Sequence, residues 1–288
     1  MGEPMTLSNQ IEKRVFIVGC SRSGTTVLQV SVASHPRITS FPETFFFQRL
    51  PGWLGRPPLW LGIANEQARP VLREVLNIIG RPDLEDRIPT SWRLRPYVET
   101  YLDILDQEAL RAGTDLWVEK TPTHVHRLSL ILSYVPKVHI IHMIRDGRDV
   151  VGSICHRAHT YSDSFSDKQK DPAFGIKRWN RALRESTAYL GQPGHTFVVY
   201  DQFVQDPEPS LRRICRDLDI EYAPQMRTGT EEAAKTVIPE QKKWIERAKT
   251  PPEPRESKFE KMFSPSEQKR IEERLNLELF DRVLRKLA

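Results

Sequence analysis

Short apolar runs rich in β-branched residues recur along the 288-residue chain and alternate with segments of helical periodicity. Runs of this kind are typical of strands that are buried on both faces of a parallel sheet. Five strands are predicted, over residues 14–20, 37–41, 116–120, 137–145 and 196–200. Helices are predicted over residues 25–34, 97–112, 124–134, 149–159, 172–190, 207–218 and 265–286. Strands that alternate with helices form βαβ units, so the pattern predicts an α/β fold around a parallel sheet.

Two segments interrupt this alternation. Residues 45–96 are rich in Trp, Pro and Arg with weak periodicity, so we expect a helical or irregular insertion beside the substrate. Residues 229–265 are rich in Pro, Lys and Glu and are predicted to form a mobile flap. We expect one domain over 1–288, with its core at about 14–222, the substrate-side insertion at 45–96, and the flap and closing helices at 223–288.

The composition excludes several classes of protein. Apolar residues make up 39% and charged residues 28% of the chain, as in ordinary globular proteins. The longest apolar stretches fall far below the roughly 20 residues of a membrane-spanning helix, and the first residues lack the apolar segment of a secretory signal. Three widely spaced cysteines argue against a disulfide framework or a zinc knuckle. We therefore predict a cytoplasmic protein without a membrane span.

The net charge of +5 favours an anionic partner. The basic residues are dispersed, no run of Lys and Arg reaches five, and no nucleic-acid-binding motif is present. We therefore expect no nucleic acid partner. A small phosphorylated ligand accounts for the surplus charge equally well.

A Gly/Ser/Thr-rich turn follows the first predicted strand and precedes the first predicted helix. Glycines let a backbone wrap an anion, whose charge is met by free N–H groups and the helix N-terminus. The candidate ligands of a phosphate are Ser21, Arg22, Ser23, Gly24, Thr25 and Thr26. A nucleotide triphosphatase would carry lysine where Thr25 stands. The loop is therefore P-loop-like but lacks a part needed for a triphosphate; an ordinary tight turn is the alternative.

A second candidate anion site follows the fourth predicted strand. Arg145 offers a planar fork of donors at the carboxyl end of that strand, where ligands of doubly wound sheets bind. Ser153 lies two turns into the next helix, and Arg157 lies one turn further on the same face. The alternatives are a structural salt bridge between Arg145 and Asp146 and a surface position for Ser153.

These two motifs resemble those of the sulfotransferases that use 3′-phosphoadenosine 5′-phosphosulfate (PAPS). Residues 21–26 are similar to the family's 5′-phosphosulfate loop, and residues 144–148 with Ser153 are similar to its 3′-phosphate motif. The likeness is greatest to the tyrosylprotein sulfotransferase branch and its bacterial relatives. Its further landmarks are His35-Pro36, Glu43-Thr44, Lys120-Thr121-Pro122, Trp179-Asn180 and Tyr200. The Lys-Thr-Pro sequence departs from the usual Lys-Asp-Pro and, with the absence of a secretory anchor, argues against a secretory protein-tyrosine acceptor.

The resemblance implies a role for each candidate residue. Glu43 matches the general base, Arg22 the arginine that meets the transferring group, and Lys120 the lysine near the bridging oxygen. Arg145, Ser153 and Arg157 would hold the 3′-phosphate, and Tyr200 would contact the donor. The expected co-substrate is PAPS, the expected product is adenosine 3′,5′-bisphosphate (PAP), and no metal is expected.

Each assignment has an alternative from the residues themselves. Glu43 suits the first turn of a helix, Lys120 could pair with Glu119 or Asp115 at the surface, and Tyr200 could be a plain strand residue. His124, expected with His126 to begin a helix at the surface, is the reserve candidate for the base. His142 is expected in the core. Trp53, Trp60 and Trp92 either line an acceptor pocket or pack against neighbouring groups.

The leading hypothesis is sulfuryl transfer to a hydroxyl of a small molecule, a sugar or a lipid-like metabolite. A divergent P-loop kinase or nucleotidase is the second reading, and an inactive nucleotide-binding scaffold is the third. The sequence leaves the oligomeric state open; a homodimer is the common arrangement for enzymes of this size.

Overall fold

A computed structural model describes residues 10–50, 62–64, 66–161, 166–229, 231–237, 252 and 256–287. Trp53, Trp60 and much of the predicted flap therefore lie outside the described residues. The five predicted strands are all present: β1 (Lys13–Gly19), β2 (Ile38–Phe41), β3 (Leu116–Lys120), β4 (Val138–Ile144) and β5 (His195–Val199). They form one sheet in the order β2-β3-β1-β4-β5, and every neighbouring pair is parallel. The predicted α/β class is confirmed.

Helices connect the strands, and further helices come after the last strand in the chain. They are α1 (Thr25–Ala33), α2 (Phe46–Arg49), α3 (Ala68–Ile78), α4 (Leu94–Arg111), α5 (Leu128–Tyr134), α6 (Gly147–Thr160), α7 (Pro172–Thr187), α8 (Tyr200–Gln205), α9 (Pro207–Leu218), α10 (Gln225–Thr228), α11 (Glu231–Val237), α12 (Phe259–Met262), α13 (Pro265–Glu272) and α14 (Leu277–Leu287). The described part of the insertion contains α2, α3 and a 3₁₀ turn over Pro82–Arg87. None of the described helices is long and apolar enough to cross a membrane.

The closing helix predicted over 265–286 is wrong, because the structure has two helices there. The side chain of Asn180 on α7 reaches into the break: its Nδ2 donates to the carbonyl of Arg274 at 2.8 Å, and its Oδ1 accepts from the backbone N–H of Asn276 at 2.9 Å. Backbone groups that a continuous helix would pair internally are satisfied by α7 instead. The break therefore depends on a tertiary contact.

The described parts of the predicted flap are packed on the protein, which corrects the expectation of a mobile arm for these parts. Ala233 and Ala234 of α11 are buried against Val30 of α1. At α12, the backbone of Phe259 lies so close to Gly152 that a Cβ there would stand 2.8 Å from its nitrogen. Both contacts bury apolar surface, which favours the docked position.

Apolar side chains cover both faces of the sheet, as the continuous apolar runs predict. Phe16 and Trp117 pack on one face beneath α2 and α4, whereas Ile17 and Val118 pack on the other beneath α1 and α9. All four side chains are fully buried. Alternate residues of each strand therefore anchor opposite helical layers.

The parallel arrangement brings the carboxyl ends of all five strands to one edge of the sheet. The glycine loop leaves β1, Glu43 follows β2 by two residues, and Lys120 is the last residue of β3. Arg145 and Tyr200 come directly after β4 and β5. Each predicted site residue of these five segments thus lies at the same edge, where open α/β sheets bind ligands.

Candidate active site

The glycine loop curls between β1 and the N-terminus of α1. Arg22 and Gly24 adopt left-handed backbone conformations, with φ of 76° and 89°. Ser23 is buried and its backbone N–H donates to the carbonyl of Cys20 at 3.1 Å, while Thr25 is the first residue of α1 and is buried, and Thr26 is partly buried. Such a turn leaves backbone N–H groups at a helix N-terminus, which is an arrangement that binds phosphate.

Lys120 and Glu43 form an ion pair at the ends of β3 and β2. The side chain of Lys120 is 3% exposed and that of Glu43 is 22% exposed. The alternative of a surface pairing between Lys120 and Glu119 or Asp115 is therefore wrong, and Asp115 is bound by Arg37 instead. Strand alternation explains this result, because successive side chains of β3 point to opposite faces. Glu43 itself precedes α2 by three residues and contacts Lys120.

The two predicted anion motifs are joined directly. The Nε of Arg22 donates to Ser153 Oγ at 3.1 Å, and Nη1 of Arg145 donates to the backbone carbonyl of Arg22 at 3.3 Å. Arg145 also pairs with Asp149 at 3.2 Å, so the alternative of an Arg145–Asp146 salt bridge is wrong. The side chain of Asp146 accepts from Arg148. The glycine loop and the segment after β4 are thus in direct contact.

Tyr200 is the first residue of α8 and is 4% exposed, so it is not a plain strand residue with its side chain in water. The guanidinium of Arg145 lies 4.1 Å from the centre of its ring. A Cβ at Gly24 would stand 2.2 Å from an atom of the same ring. Tyr200 therefore contacts both the glycine loop and the arginine that follows β4.

Arg157 of α6 is half-buried. Burial lowers the pKa of Arg157, and the negative charge of Glu43 opposes that effect. The role of Arg157 as a 3′-phosphate ligand stays a prediction.

His124 is fully buried, which corrects the expectation of a surface position. A 3₁₀ turn over Pro122–Arg127 precedes α5 and directs this side chain beneath α2. Its ring packs edge-on against Phe16 and Phe47, with Nδ1 3.1 Å from Glu119. Such burial leaves an acceptor no surface of His124 to contact, so Glu43 is the better placed base candidate.

The described residues also include the candidates His126, His142 and Trp92. The side chain of His126 is 18% exposed and is bound by Glu185. His142 is buried in the core as predicted and stacks on Phe197 at 4.3 Å. Trp92 is 66% exposed and lies against the guanidinium of Arg93. Among the described residues, no group of three or more His, Cys, Asp or Glu could hold a metal ion.

Two charged residues beside the predicted site residues were not predicted from the sequence. Arg178 of α7 donates from Nη2 to Ser21 Oγ at 3.1 Å, and its charge opposes the burial that raises the pKa of Cys20 to about 12. Arg178 directly precedes the landmark Trp179-Asn180, and this position in the sequence could have identified it. Trp179 itself donates from Nε1 to the carbonyl of Arg145 at 2.9 Å and so supports the turn after β4.

The second missed residue is Glu119, a buried carboxylate beside Lys120.

Comparisons with known proteins concern the family and the fold. A model of the sulfotransferase family matches residues 14–224. The chain is 26% identical to the protein-tyrosine sulfotransferase of Drosophila melanogaster over 217 residues, which are 72% of this chain and 38% of that protein. It is 25% identical to a putative protein-tyrosine sulfotransferase of Caenorhabditis briggsae, covering 76% of this chain and 70% of that protein. The chain thus spans well under half of the first of these relatives.

Solved structures show the same fold. The sulfotransferase domain from the curacin biosynthetic pathway superimposes with a TM-score of 0.57 at 19% identity, covering 92% of this chain and 98% of that domain. A mouse sulfotransferase complexed with PAP gives a TM-score of 0.50 at 13% identity, covering 97% of this chain and 88% of that chain. Since the family model matches well over half of its length, the chain belongs to the sulfotransferase family.

Proposed function

We propose that this protein transfers a sulfuryl group from PAPS to the hydroxyl of an acceptor. The observation that carries the proposal is the junction of two cationic motifs, in which Arg22 binds Ser153 and Arg145 binds the carbonyl of Arg22. A donor with a 5′-phosphosulfate and a 3′-phosphate has one anionic group for each motif. The mouse sulfotransferase of the same fold holds PAP, which is the product of this donor.

The ligands divide between the two ends of the donor. The loop from Ser21 to Thr26 would receive the 5′-phosphosulfate with its backbone N–H groups, and Arg22 would meet the transferring group. Arg145, Ser153 and Arg157 would bind the 3′-phosphate, because guanidinium forks match phosphate oxygens. The ring of Tyr200 would contact the nucleoside between them.

Sulfuryl transfer resembles phosphoryl transfer in needing little beyond alignment and charge stabilisation. The acceptor oxygen forms a bond to sulfur while the bond from sulfur to the 5′-phosphate oxygen breaks. Glu43 takes the proton of the acceptor hydroxyl, and the ammonium group of Lys120 stabilises the charge that develops on the leaving phosphate. In the structure these two side chains pair with each other. Donor binding would draw Lys120 toward the phosphate and release the carboxylate to act as base.

The first test measures donor binding and needs no acceptor. The melting temperature is recorded with PAP, with adenosine 5′-monophosphate, and with adenosine triphosphate plus magnesium. A ligand at 100 times its dissociation constant stabilises a protein by about 2.7 kcal/mol, and we expect a rise of several degrees with PAP alone. A rise with the triphosphate and magnesium alone would replace the proposal with a kinase-like function.

The second test identifies the acceptor class. Labelled PAPS is offered with a tyrosine-containing peptide, p-nitrophenol, N-acetylglucosamine and a steroid alcohol in separate reactions. Sulfation of the peptide would show that this chain, like the protein-tyrosine sulfotransferases it resembles, accepts a tyrosine hydroxyl. Sulfation of one of the other compounds would support the small-molecule, sugar or lipid-like acceptor predicted from the sequence. A protein that binds PAP but sulfates none of them and releases no PAP from PAPS would be the inactive scaffold.

A further inference from the structure

Glu119 is a fully buried carboxylate that the proposed chemistry does not use. Its Oε1 accepts hydrogen bonds from the backbone N–H of Thr44 at 2.9 Å, from Thr44 Oγ1 at 2.9 Å and from Thr121 Oγ1 at 2.6 Å. Burial by itself would raise the pKa of Glu119, but His124 and these donors hold it below its usual value. The network therefore surrounds a carboxylate that is held ionised in the interior.

The partners of Glu119 are the chain neighbours of the Glu43–Lys120 pair. Thr44 directly follows Glu43, and Thr121 directly follows Lys120. One oxygen of the Glu119 carboxylate therefore accepts hydrogen bonds from both backbone segments that carry the ion pair. Thr121 Oγ1 connects the two segments a second time, because it accepts a hydrogen bond from the backbone N–H of Phe45 at 3.2 Å.

These hydrogen bonds begin where the pairing of β2 with β3 ends. The pairing of β2 with β3 runs as far as Phe41 opposite Glu119. Beyond that point the chain of β2 continues through Glu43 and Thr44 toward α2. The side chain of Glu119 thus continues, by hydrogen bonds, the connection that the backbone ladder makes up to Phe41.

A purely stabilising role would not require a charge at this position. Removing a carboxylate from water costs several kcal/mol, and well-packed apolar residues often stabilise a core equally well. A carboxylate with three donors, in contrast, defines distances and directions. We propose that Glu119 is a positioning residue, which holds Glu43 and Lys120 at the separation needed for transfer. This inference rests on the proposed function, since it assigns those two residues to the reaction.

The main test compares Glu119→Gln with Asp115→Asn. Asp115 stands just before the opposite end of β3, is also buried, and pairs with Arg37, so its loss perturbs the same strand away from the site. The readouts are the melting shift with PAP and the rate of PAP release from PAPS with p-nitrophenol or the tyrosine peptide. We expect Glu119→Gln to keep PAP affinity and KM for PAPS but lower kcat by roughly 10²-fold, the cost of about 1 Å of misplacement. Equal kcat values for the two variants would overturn the proposal.

Thr121 supplies a second pair of variants in case Glu119→Gln does not fold. Thr121→Val keeps the shape of the side chain and removes the hydroxyl, whereas Thr121→Ser keeps the hydroxyl. The proposal expects the valine variant to lose kcat and the serine variant to retain it. Equal kcat values for the valine and serine variants would contradict it.

A labelling experiment tests the positioning without any turnover. Acetylation of individual lysines is followed by mass spectrometry in the wild type and in Glu119→Gln. We expect Lys120 to react several-fold faster in the variant, and Lys137, bound to the carbonyl of Ile11 elsewhere, to be unchanged. Unchanged labelling of Lys120 would overturn the positioning role. A wild type that neither binds PAP nor consumes PAPS would instead overturn the proposed function, and the labelling result would still stand.

Discussion

The ion pair between Lys120 and Glu43 is the residue-scale feature on which the proposed chemistry depends. The carboxylate and the ammonium group neutralise each other's charge in this pair. The carboxylate lies two residues after β2 and the ammonium group at the end of β3, so two separate backbone segments meet at this pair. Their separate roles predict separate effects on binding and turnover.

Glu43→Gln should leave PAP affinity nearly unchanged and lower turnover by at least about 10²-fold, because the amide cannot accept the proton of the acceptor hydroxyl. The melting shift with PAP and the rate of sulfation measure the two effects. Glu85→Gln is the control, since Glu85 is an exposed glutamate paired with Arg73. Near-normal turnover of Glu43→Gln would remove Glu43 from the mechanism.

Arg178→Ala should weaken PAP binding by roughly tenfold or more, because a hydrogen bond from a charged group contributes about 1.5–3 kcal/mol. The lost bond supports Ser21 at the start of the phosphate loop. Arg181→Ala is the matched control one turn along α7, where the guanidinium pairs with Glu185. Titration of both variants with PAP by calorimetry measures the difference. Equal affinities would exclude Arg178 from the donor site.

At the scale of elements, the loop between β1 and α1 is contacted by residues that directly follow β4 and β5. The ring of Tyr200, at the start of α8, packs on Gly24, and the guanidinium of Arg145, after β4, lies against the same ring. Three strand ends thus define one surface. Because these contacts are made by the first residues after each strand, a shift of the loop requires a shift of its neighbours.

Gly24→Ala tests this arrangement against a matched glycine. Gly24 and Gly80 both have positive φ, of 89° and 74°, but a Cβ at Gly80 meets nothing within 4 Å, whereas one at Gly24 overlaps Tyr200. Backbone strain alone should cost each variant about 1–2 kcal/mol of unfolding free energy. We expect Gly24→Ala to lose more and to abolish the melting shift with PAP, and Gly80→Ala to keep that shift. Normal PAP binding by Gly24→Ala would show that the loop adapts to the side chain.

At the scale of the whole molecule, strand β4 carries two buried histidines, His139 and His142, which contact residues of β5. His139 Nε2 lies 2.8 Å from Thr196 Oγ1, and His142 Nε2 lies 3.0 Å from His195 Nδ1. Burial lowers the pKa of His139 to about 4, with Asp217 opposing the effect, and burial also lowers the pKa of His142. The folded protein therefore keeps these rings neutral under conditions in which the unfolded chain protonates them.

The free energy of unfolding should accordingly fall with acidification below about pH 6.5, the ordinary pKa of histidine in the unfolded chain. Between that pH and about 4 the unfolded state binds more protons at His139, so this group removes up to about 1.4 kcal/mol per pH unit. Denaturant titrations at pH 7, 6 and 5 measure the slope. His139→Gln should reduce the slope and His159→Gln, at an exposed position, should not. An identical slope in His139→Gln would assign the acid sensitivity to other groups.

The cytoplasmic location, the homodimer and the domain boundaries stay predictions of the sequence. What the sequence determined by itself about this protein was local: the five strands, the glycine loop, and the charged residues at the strand ends. These features follow from hydrophobic periodicity, from the conformational freedom of glycine, and from the rule that parallel strands end at one edge. The glycine loop, Arg145 and Ser153 could therefore be named from the pattern of the sequence, whereas Glu43, Lys120 and Tyr200 were named from the resemblance to a known family.

The tertiary structure alone decided which of these side chains meet. Glu119 and Thr44 are 75 positions apart, Arg178 and Ser21 are 157 apart, and Asn180 and Asn276 are 96 apart. Local periodicity carries no information about such partners. The burial of His124, the break between α13 and α14, and the carboxylate that ties Thr44 to Thr121 all depend on contacts of this kind. They are formed only when the helices pack on the sheet, because burial leaves each polar group to find its hydrogen-bond partner within the fold.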